Sequence, residues 1–106
     1  MIQNELKKFI KKQDLRLRQQ YKADEDKHIL LRTVKLTEEL GELCDEVLSF
    51  NAMQRKDKLA KHEMGNLAAE FADVLIVTLL LAEAMNVNIE KALREKIIEI
   101  DKRYKK

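Results

Sequence analysis

Apolar residues recur at helical spacing over most of this chain of 106 residues. The spacing predicts four helices, which lie over about Ile2–Lys22, Lys27–Phe50, Asn66–Met85 and Ile89–Tyr104. Asp24 or Asp26 can cap the second helix, and the segment from Asn86 to Asn88 forms a turn before the fourth. The polar segment 51–65 is compatible with a loop or with a short helix.

The composition supports helices and excludes folds that need many tight turns. The chain has two glycines and no proline, so a sandwich or barrel of short strands lacks the residues that build its hairpins. Gly41 and Gly65 are too far apart for a glycine-rich phosphate loop. Long helices with short connections predict an all-α four-helix bundle, formed by one domain over residues 1–106.

The third predicted helix is apolar on nearly every side. Between Leu67 and Ala82, only Glu70, Asp73 and Thr78 interrupt the apolar residues. A helix with this pattern is buried, and the other three helices of so short a chain offer it little cover. We therefore expect a homo-oligomer, either a dimer or a dimer of dimers.

Charge is unevenly distributed along the chain. Residues 36–90 carry eleven acidic and four basic side chains, whereas both ends are basic. This pattern suits a site that holds cations at its centre and an anion at its edges, although solvated helix faces of different sign would also produce it. No apolar stretch is long enough to cross a bilayer, no signal peptide is recognisable, and the single cysteine fits a reducing compartment. We expect a cytoplasmic protein without a membrane or nucleic-acid partner.

The second predicted helix has an apolar stripe with a charged edge beside it. At about 100° per residue, the wheel groups four apolar residues as the predicted core stripe: Leu36, Leu40, Leu43 and Val47. The adjoining edge carries six titratable side chains: His28, Arg32, Lys35, Glu39, Glu42 and Glu46. Ordinary surface ion pairs three or four residues apart give the same pattern. The edge alone therefore does not define a site.

Two carboxylates interrupt the apolar third helix. Glu70 and Asp73 are three residues apart and lie on one face. Burying either carboxylate without a partner costs several kcal/mol. Together with Glu39 and Glu42 on a packed neighbouring helix, they would form an all-oxygen ligand set suited to Mg²⁺ or Mn²⁺. The alternative is that a lysine or arginine from another helix neutralises them.

The fourth predicted helix carries cations beside its apolar face. Lys96 lies within the apolar stripe, and Arg103 lies near the same edge seven residues later. A lysine in such a stripe either meets an anion or extends past its neighbours to water.

Three segments together resemble a known family. Residues 35–43 read KLTEELGEL, residues 70–75 read EFADVL, and residues 92–104 read ALREKIIEIDKRY. An EExxE motif, followed after 27 residues by ExxD and later by a basic and aromatic tail, is similar to the MazG-like all-α nucleotide pyrophosphohydrolases. The resemblance covers roughly residues 28–104.

This resemblance implies hydrolysis of a nucleoside triphosphate to a monophosphate and pyrophosphate with Mg²⁺, in nucleotide-pool housecleaning. The implied catalytic and metal-binding residues are Glu39, Glu42, Glu70 and Asp73. Glu38 also matches the motif, but the wheel turns it towards water and we exclude it. Lys96 matches a tail lysine that approaches phosphate in such enzymes. Candidate substrate-binding residues beside it are Lys35, Arg32, Arg103 and His28, and Glu46 is a candidate general base.

The sequence leaves the base preference open. The tail departs from that of many relatives, which have an asparagine where this chain has Ile100. The chain has no tryptophan, so a base pocket must use Phe9, Tyr21, His28 or aliphatic residues.

Two other functions remain open. A phosphoribosyl-ATP pyrophosphohydrolase belongs to the same superfamily, but this chain lacks the glycine that we associate with that branch before the paired glutamates. A non-catalytic, dimerising helical module would have the same helices without a metal site.

Overall fold

The computed structural model describes residues 1–53 and 57–105, and the side chains of residues 1–51 and 66–105. The described chain is all-α and contains no strand, which confirms the predicted fold class. Its four helices are α1 (Asn4–Gln20), α2 (Glu25–Met53), α3 (Asp57–Ala84) and α4 (Ile89–Lys102). None of the described helices combines the length and the apolar composition needed to span a bilayer.

The helix ends follow the predicted caps in two places. The side chain of Asp24 accepts a hydrogen bond from the backbone N–H of Lys27 at 2.8 Å, so Asp24 caps α2. The side chain of Asn88 accepts one from the backbone N–H of Lys91 at 3.1 Å and caps α4. Between α3 and α4, Asn86 adopts a left-handed conformation with φ 56°, which asparagine tolerates better than most residues.

The third helix begins nine residues earlier than predicted. The polar segment 51–65 is helical in its described parts, because α2 extends to Met53 and α3 starts at Asp57. Residues 54–56 lie outside the described part of the chain. The segment contains no proline and many strong helix formers. Its polar composition is therefore compatible with a helix.

Helices α1 and α2 both pack against α3. Arg32 on α2 connects all three, because one nitrogen of its guanidinium lies 2.7 Å from an oxygen of Asp14 on α1 and donates to the carbonyl of Leu80 on α3 at 2.8 Å. Arg18 on α1 pairs with the same Asp14 and with Glu25 at the start of α2. The ion pairs thus fix the corner between α1 and α2.

The predicted core stripe of α2 is wrong in its details. Leu40 is 49% exposed, and the other three residues of the stripe are only half-buried. The residues of α2 that are most deeply buried belong to the charged edge: His28, Arg32 and Glu39. Within one chain, α1 and α3 pack over the edge of α2 that carries the ionisable groups, whereas the leucine stripe lies at the margin of the packing.

Helix α4 buries none of its residues. Its apolar face includes Leu93, Ile97 and Ile100, which are between 40% and 47% exposed. The radius of gyration is 17.1 Å, larger than the roughly 13 Å expected for a compact domain of this length. The four helices therefore do not close into one compact bundle within a single chain.

Gly41 lies in the interior of α2 between Glu39 and Glu42, where a close approach of another helix would explain it. No described atom outside its own helix backbone and neighbours lies within 4 Å of the position that a Cβ would occupy. A close helix approach at this glycine is therefore not found among the described residues of one chain.

Glu90 connects α4 to the start of the chain. Its carboxylate pairs with the ammonium group of Lys7 and lies 3.1 Å from the amino group of Met1. The hydrogen bond from Lys7, followed by that from Met1, lowers the pKa of Glu90 to about 2 from an ordinary value of 4.5.

We expect Glu90→Gln to lower the melting temperature at pH 7. Because the pKa of Glu90 is depressed in the folded state, its ion pairs stabilise the fold fully above about pH 4.5, and this contribution is lost as the pH falls towards about 2. Thermal unfolding across this range should show the difference between wild type and variant shrinking at low pH. Glu95→Gln, at an exposed position of the same helix, should change little at any pH. An equal effect of the two substitutions would contradict the prediction.

Candidate metal centre

Three carboxylates from two helices meet at the α2–α3 interface. Glu39 is presented by α2, whereas Glu70 and Asp73, one turn apart, are presented by α3. One carboxylate oxygen from each lies within 4.8 Å of the other two. Glu39 is only 6% exposed, Glu70 is half-buried and Asp73 is exposed. The group therefore has a buried side and an open side, as a centre that receives a ligand from solvent requires.

Two oxygens of this group are buried without a hydrogen-bond partner among the described residues: Glu39 Oε2 and Glu70 Oε2. The other oxygen of Glu39 lies 3.0 Å from the ammonium group of Lys35. The hydrogen bond between these two groups raises the pKa of Lys35. A buried carboxylate oxygen without a donor is costly. These oxygens are therefore in position to accept a cation.

The electrostatics of the site favour the same interpretation. Burial raises the pKa of Glu70, and the negative charges of Glu42, Asp73, Glu39 and Glu46 raise it further. Four neighbouring carboxylates thus act on Glu70. Within the described part of the chain, no lysine or arginine forms an ion pair with Glu70 or Asp73. The alternative in which a cation from a neighbouring helix neutralises these two residues is not found there.

The donor set fits a hard divalent cation. All of its atoms are carboxylate oxygens, which Mg²⁺ and Mn²⁺ prefer, and there is no nitrogen or sulfur ligand of the kind that selects zinc. The unpartnered oxygens of Glu39 and Glu70 supply the observation that a metal would explain.

The predicted substrate-binding residues of α2 lie along one face leading away from the carboxylates. Lys35 is one turn from Glu39 and pairs with it. Arg32 is 5% exposed and is bound to Asp14 and to the carbonyl of Leu80, so its charge is already compensated inside the fold. His28 is 4% exposed and lies one further turn along the helix.

The predicted substrate-binding residues of α4 are not brought to the carboxylates by contacts within one chain. Lys96 and Arg103 both pair with Glu99, at 2.9 Å and 3.3 Å. Both side chains are more than half exposed. Their ion pairs therefore stay on α4 itself.

Glu38 is exposed, as the helical wheel predicts, and lies 3.9 Å from Lys35.

The sequence interpretation missed Asp14 and Arg18, which hold Arg32 in place. An aspartate and an arginine four residues apart on α1 read as a surface pair. The only signal was that Asp14 lies four residues after the apolar Ile10, on the face that α1 buries.

The family model of the MazG nucleotide pyrophosphohydrolase domain matches residues 27–106. The chain belongs to the MazG family. The match confirms the resemblance inferred from the motifs, and the matched region contains Glu39, Glu70 and Asp73. It identifies a nucleotide pyrophosphohydrolase domain, which acts on acid anhydrides. Helix α1 lies before the matched region. No curated protein and no solved structure matches the chain.

We expect Glu70→Gln to raise the melting temperature at neutral pH when EDTA removes divalent cations. The pKa of Glu70 is raised in the folded state, so its contribution to stability is complete below the unfolded value of about 4.5 and is lost as the pH rises through the higher folded value. The variant has no carboxyl group at this position, so it should not lose this stability as the pH rises.

Melting curves recorded against pH, with and without Mg²⁺, test this expectation. Mg²⁺ should stabilise wild type through the carboxylates and should stabilise Glu70→Gln less. Asp45→Asn, at an exposed position of α2, is the control and should respond to Mg²⁺ as wild type does. A Mg²⁺ response that is unchanged in Glu70→Gln would show that the metal does not bind at this cluster.

Proposed function

We propose that this chain is a Mg²⁺-dependent nucleoside triphosphate pyrophosphohydrolase, which converts an NTP or dNTP and water to the monophosphate and pyrophosphate. The observation that carries the proposal is the meeting of Glu39, Glu70 and Asp73, with unpartnered buried oxygens and no compensating cation on Glu70 or Asp73 among the described residues. The proposed role is removal of unwanted nucleotides, by a single domain over residues 1–106 in the cytoplasm.

Glu39, Glu70 and Asp73 would hold the metal, and Glu42 would complete the acidic set from the next turn of α2. When bound, Mg²⁺ supplies positive charge that neutralises phosphate oxygens during the displacement, with Mn²⁺ as a possible substitute. The carboxylates of the chain orient this charge at the open side of the site, where Asp73 is exposed.

Other residues of α2 contribute to the reaction from positions beside the carboxylates. The oxygen of a water molecule forms a bond to the α-phosphorus, the bond from that phosphorus to the bridging oxygen breaks, and pyrophosphate leaves. Glu46, which lies close enough to raise the pKa of Glu70, would accept the proton of the water. Lys35 would exchange its contact with Glu39 for a phosphate oxygen and stabilise the charge that develops there.

Phosphates are also expected to meet Arg32, His28, Lys96 and Arg103. For Arg32 this contact would add to the ion pair with Asp14 rather than replace it. For Lys96 and Arg103 it requires that α4 reach a site beyond its own helix, which an oligomer provides.

A non-catalytic helical module would not need carboxylates without partners, and the buried oxygens of Glu39 and Glu70 disfavour it. A phosphoribosyl-ATP pyrophosphohydrolase would use the same carboxylates. Inclusion of phosphoribosyl-ATP in the substrate panel separates this enzyme from the main proposal.

We expect Mg²⁺-dependent release of pyrophosphate from at least one member of a panel of standard and modified NTPs and dNTPs. Glu39→Ala and Asp73→Ala should each reduce the rate by about 100-fold or more, since each removes a ligand of the cation that stabilises the transition state. Asp45→Ala, at an exposed carboxylate of the same helix, should retain the activity. Absence of turnover across the whole panel with Mg²⁺ and Mn²⁺ would contradict the proposal.

We further propose that the chain forms a homo-oligomer, with a dimer as the smallest unit. Helix α4 buries none of its residues, and leucines and a phenylalanine of the other helices are also about half exposed: Leu31, Leu40, Phe71 and Leu75. Apolar surface on this scale indicates contact with another protein surface. A second copy of the chain carries the same exposed apolar faces and could cover them.

Light scattering at micromolar concentration should give at least twice the mass of one chain. Ile97→Asp should shift the protein towards the monomer, because it places a charge in the apolar face of α4. Glu95→Lys, which changes charge on the polar side of the same helix, is the matched control. A monomeric wild type at this concentration would rule out the oligomer.

A further inference from the structure

Among the described residues, Lys35 alone provides a basic partner for the three carboxylates of the candidate centre. Its ammonium group lies 3.0 Å from Oε1 of Glu39, whereas no lysine or arginine in the described part of the chain pairs with Glu70 or Asp73. Oε2 of Glu39 is buried and has no donor there. Glu39 is therefore only half compensated, because an internal cation holds one of its oxygens and leaves the other free.

The two basic residues on this face of α2 differ in how firmly they are held. Arg32 is buried and links α1 to α3 through its guanidinium. The side chain of Lys35 is more than half exposed, and its ion pairs are with Glu39 and Glu38 of its own helix. A lysine ammonium is a point charge on a flexible stem, so it exchanges partners readily. Arg32 is thus a fixed part of the fold, whereas Lys35 is able to move.

Glu38 offers Lys35 a second acceptor. Its carboxylate lies 3.9 Å from the ammonium group, and its side chain is more than half exposed, whereas the side chain of Glu39 is buried. Residues three and four positions along a helix both come within reach of the same side chain. The ammonium group of Lys35 therefore lies between a buried carboxylate and an exposed one, and a small movement transfers it from the first to the second.

We propose that Lys35 is an exchangeable counter-cation of the metal centre, which holds Glu39 in the free protein and moves to Glu38 when a divalent cation binds. This inference rests on the metal centre of the proposed function. Lys35 competes with the metal for Glu39 and so lowers the affinity of the centre. A phosphate group that draws Lys35 away from Glu39 removes this competition, so metal and nucleotide each raise the affinity for the other.

The exchange gives the first glutamate of the EExxE motif a role, although it is turned towards water. Glu38 receives the ammonium group of Lys35 and is a positioning residue rather than a metal ligand. Its effect on the metal must therefore pass through Lys35.

The first test measures metal affinity without nucleotide. Mn²⁺ is titrated against the protein, and the free ion is followed by its electron paramagnetic resonance signal. We expect Lys35→Met, which retains the apolar stem, to lower the Kd for Mn²⁺ by about three- to tenfold, because Glu39 loses its competing cation. Lys27→Met removes an exposed lysine about 18 Å earlier along the same helix. It is the control and should leave the Kd unchanged.

A double-mutant cycle shows whether Glu38 acts through Lys35. Glu38→Gln removes the exposed acceptor and should raise the Kd for Mn²⁺ by about twofold. In the presence of Lys35→Met, it should have no further effect, so the double variant should match Lys35→Met alone. Effects that add in the double variant would show two independent charges acting through space and would overturn the exchange.

Thermal unfolding provides a readout that does not depend on turnover. In EDTA, Lys35→Met leaves Glu39 buried without a partner and should melt below Lys27→Met. Mg²⁺ should then raise the melting temperature of Lys35→Met by more than it raises that of wild type. An equal response to Mg²⁺ in the two proteins would overturn the competition between Lys35 and the metal. Circular dichroism confirms that the variants fold.

The effect of nucleotide tests the coupling. AMP, CMP, GMP and UMP are each added in excess to the Mn²⁺ titration, with a correction for the Mn²⁺ that the monophosphate binds in solution. We expect the best of them to lower the Kd for Mn²⁺ in wild type by about fivefold, and by a smaller factor in Lys35→Met. The same factor in both proteins would overturn a coupling through Lys35.

These measurements separate the exchange from the proposed function. The expected cycle without hydrolysis of any triphosphate would support the exchange and contradict the enzyme. Hydrolysis together with an unchanged Kd for Mn²⁺ in Lys35→Met would support the enzyme and overturn the exchange. Equal binding of Mn²⁺ by wild type and Asp73→Ala would place the metal elsewhere and overturn both.

Discussion

A buried guanidinium holds together the three helices that pack in this chain. Arg32 pairs with Asp14 on α1 and donates to the carbonyl of Leu80 on α3. Burial acts to raise the pKa of Asp14, but the hydrogen bonds from Arg32 and Arg18 outweigh it and hold this pKa below its ordinary value. Removal of Asp14 would leave the buried guanidinium of Arg32 without its carboxylate, which costs about 3–5 kcal/mol in such sites, whereas removal of Arg32 would leave Asp14 paired with Arg18. The orientation of α1 over α2 depends on this contact.

The same face of α2 carries first cations and then carboxylates. Near its start, Arg32 is compensated by Asp14, so the positive charge serves the fold. One turn further on, Lys35 is shared with Glu39, and beyond Glu39 the negative charges outnumber the nearby cations. The compensated part of α2 packs against its neighbours, whereas Glu39 of α2 and Glu70 of α3 each have a buried oxygen without a donor among the described residues. Such oxygens lower the stability of the free protein, and a cation bound to them would restore it.

The helices and the acidic cluster could be predicted because they depend on local sequence. Apolar spacing, the caps at Asp24 and Asn88, and the position of Glu70 and Asp73 inside an apolar helix all follow from neighbouring residues. The core stripe of α2 could not be predicted in the same way. Periodicity identifies the apolar side of a helix. It does not show that α1 and α3 pack instead over the adjoining edge of α2, which carries His28, Arg32 and Glu39. The angle at which α1 meets α2 could not be predicted either, because it depends on ion pairs between the two helices, those of Arg32 with Asp14 and of Arg18 with Glu25.

The matched domain and the helix before it contribute differently to the candidate site. Helices α2 and α3 supply Glu39, Glu70 and Asp73, which lie within the residues that the family model matches. Helix α1 lies before that region and supplies Asp14, which positions Arg32. Helix α4 differs from both, because none of its residues is buried and, among the described residues, Lys96 and Arg103 pair with Glu99 of the same helix. Contact with a second copy would bury the apolar face of α4, and Lys96 and Arg103 would then lie in an interface rather than on an isolated helix.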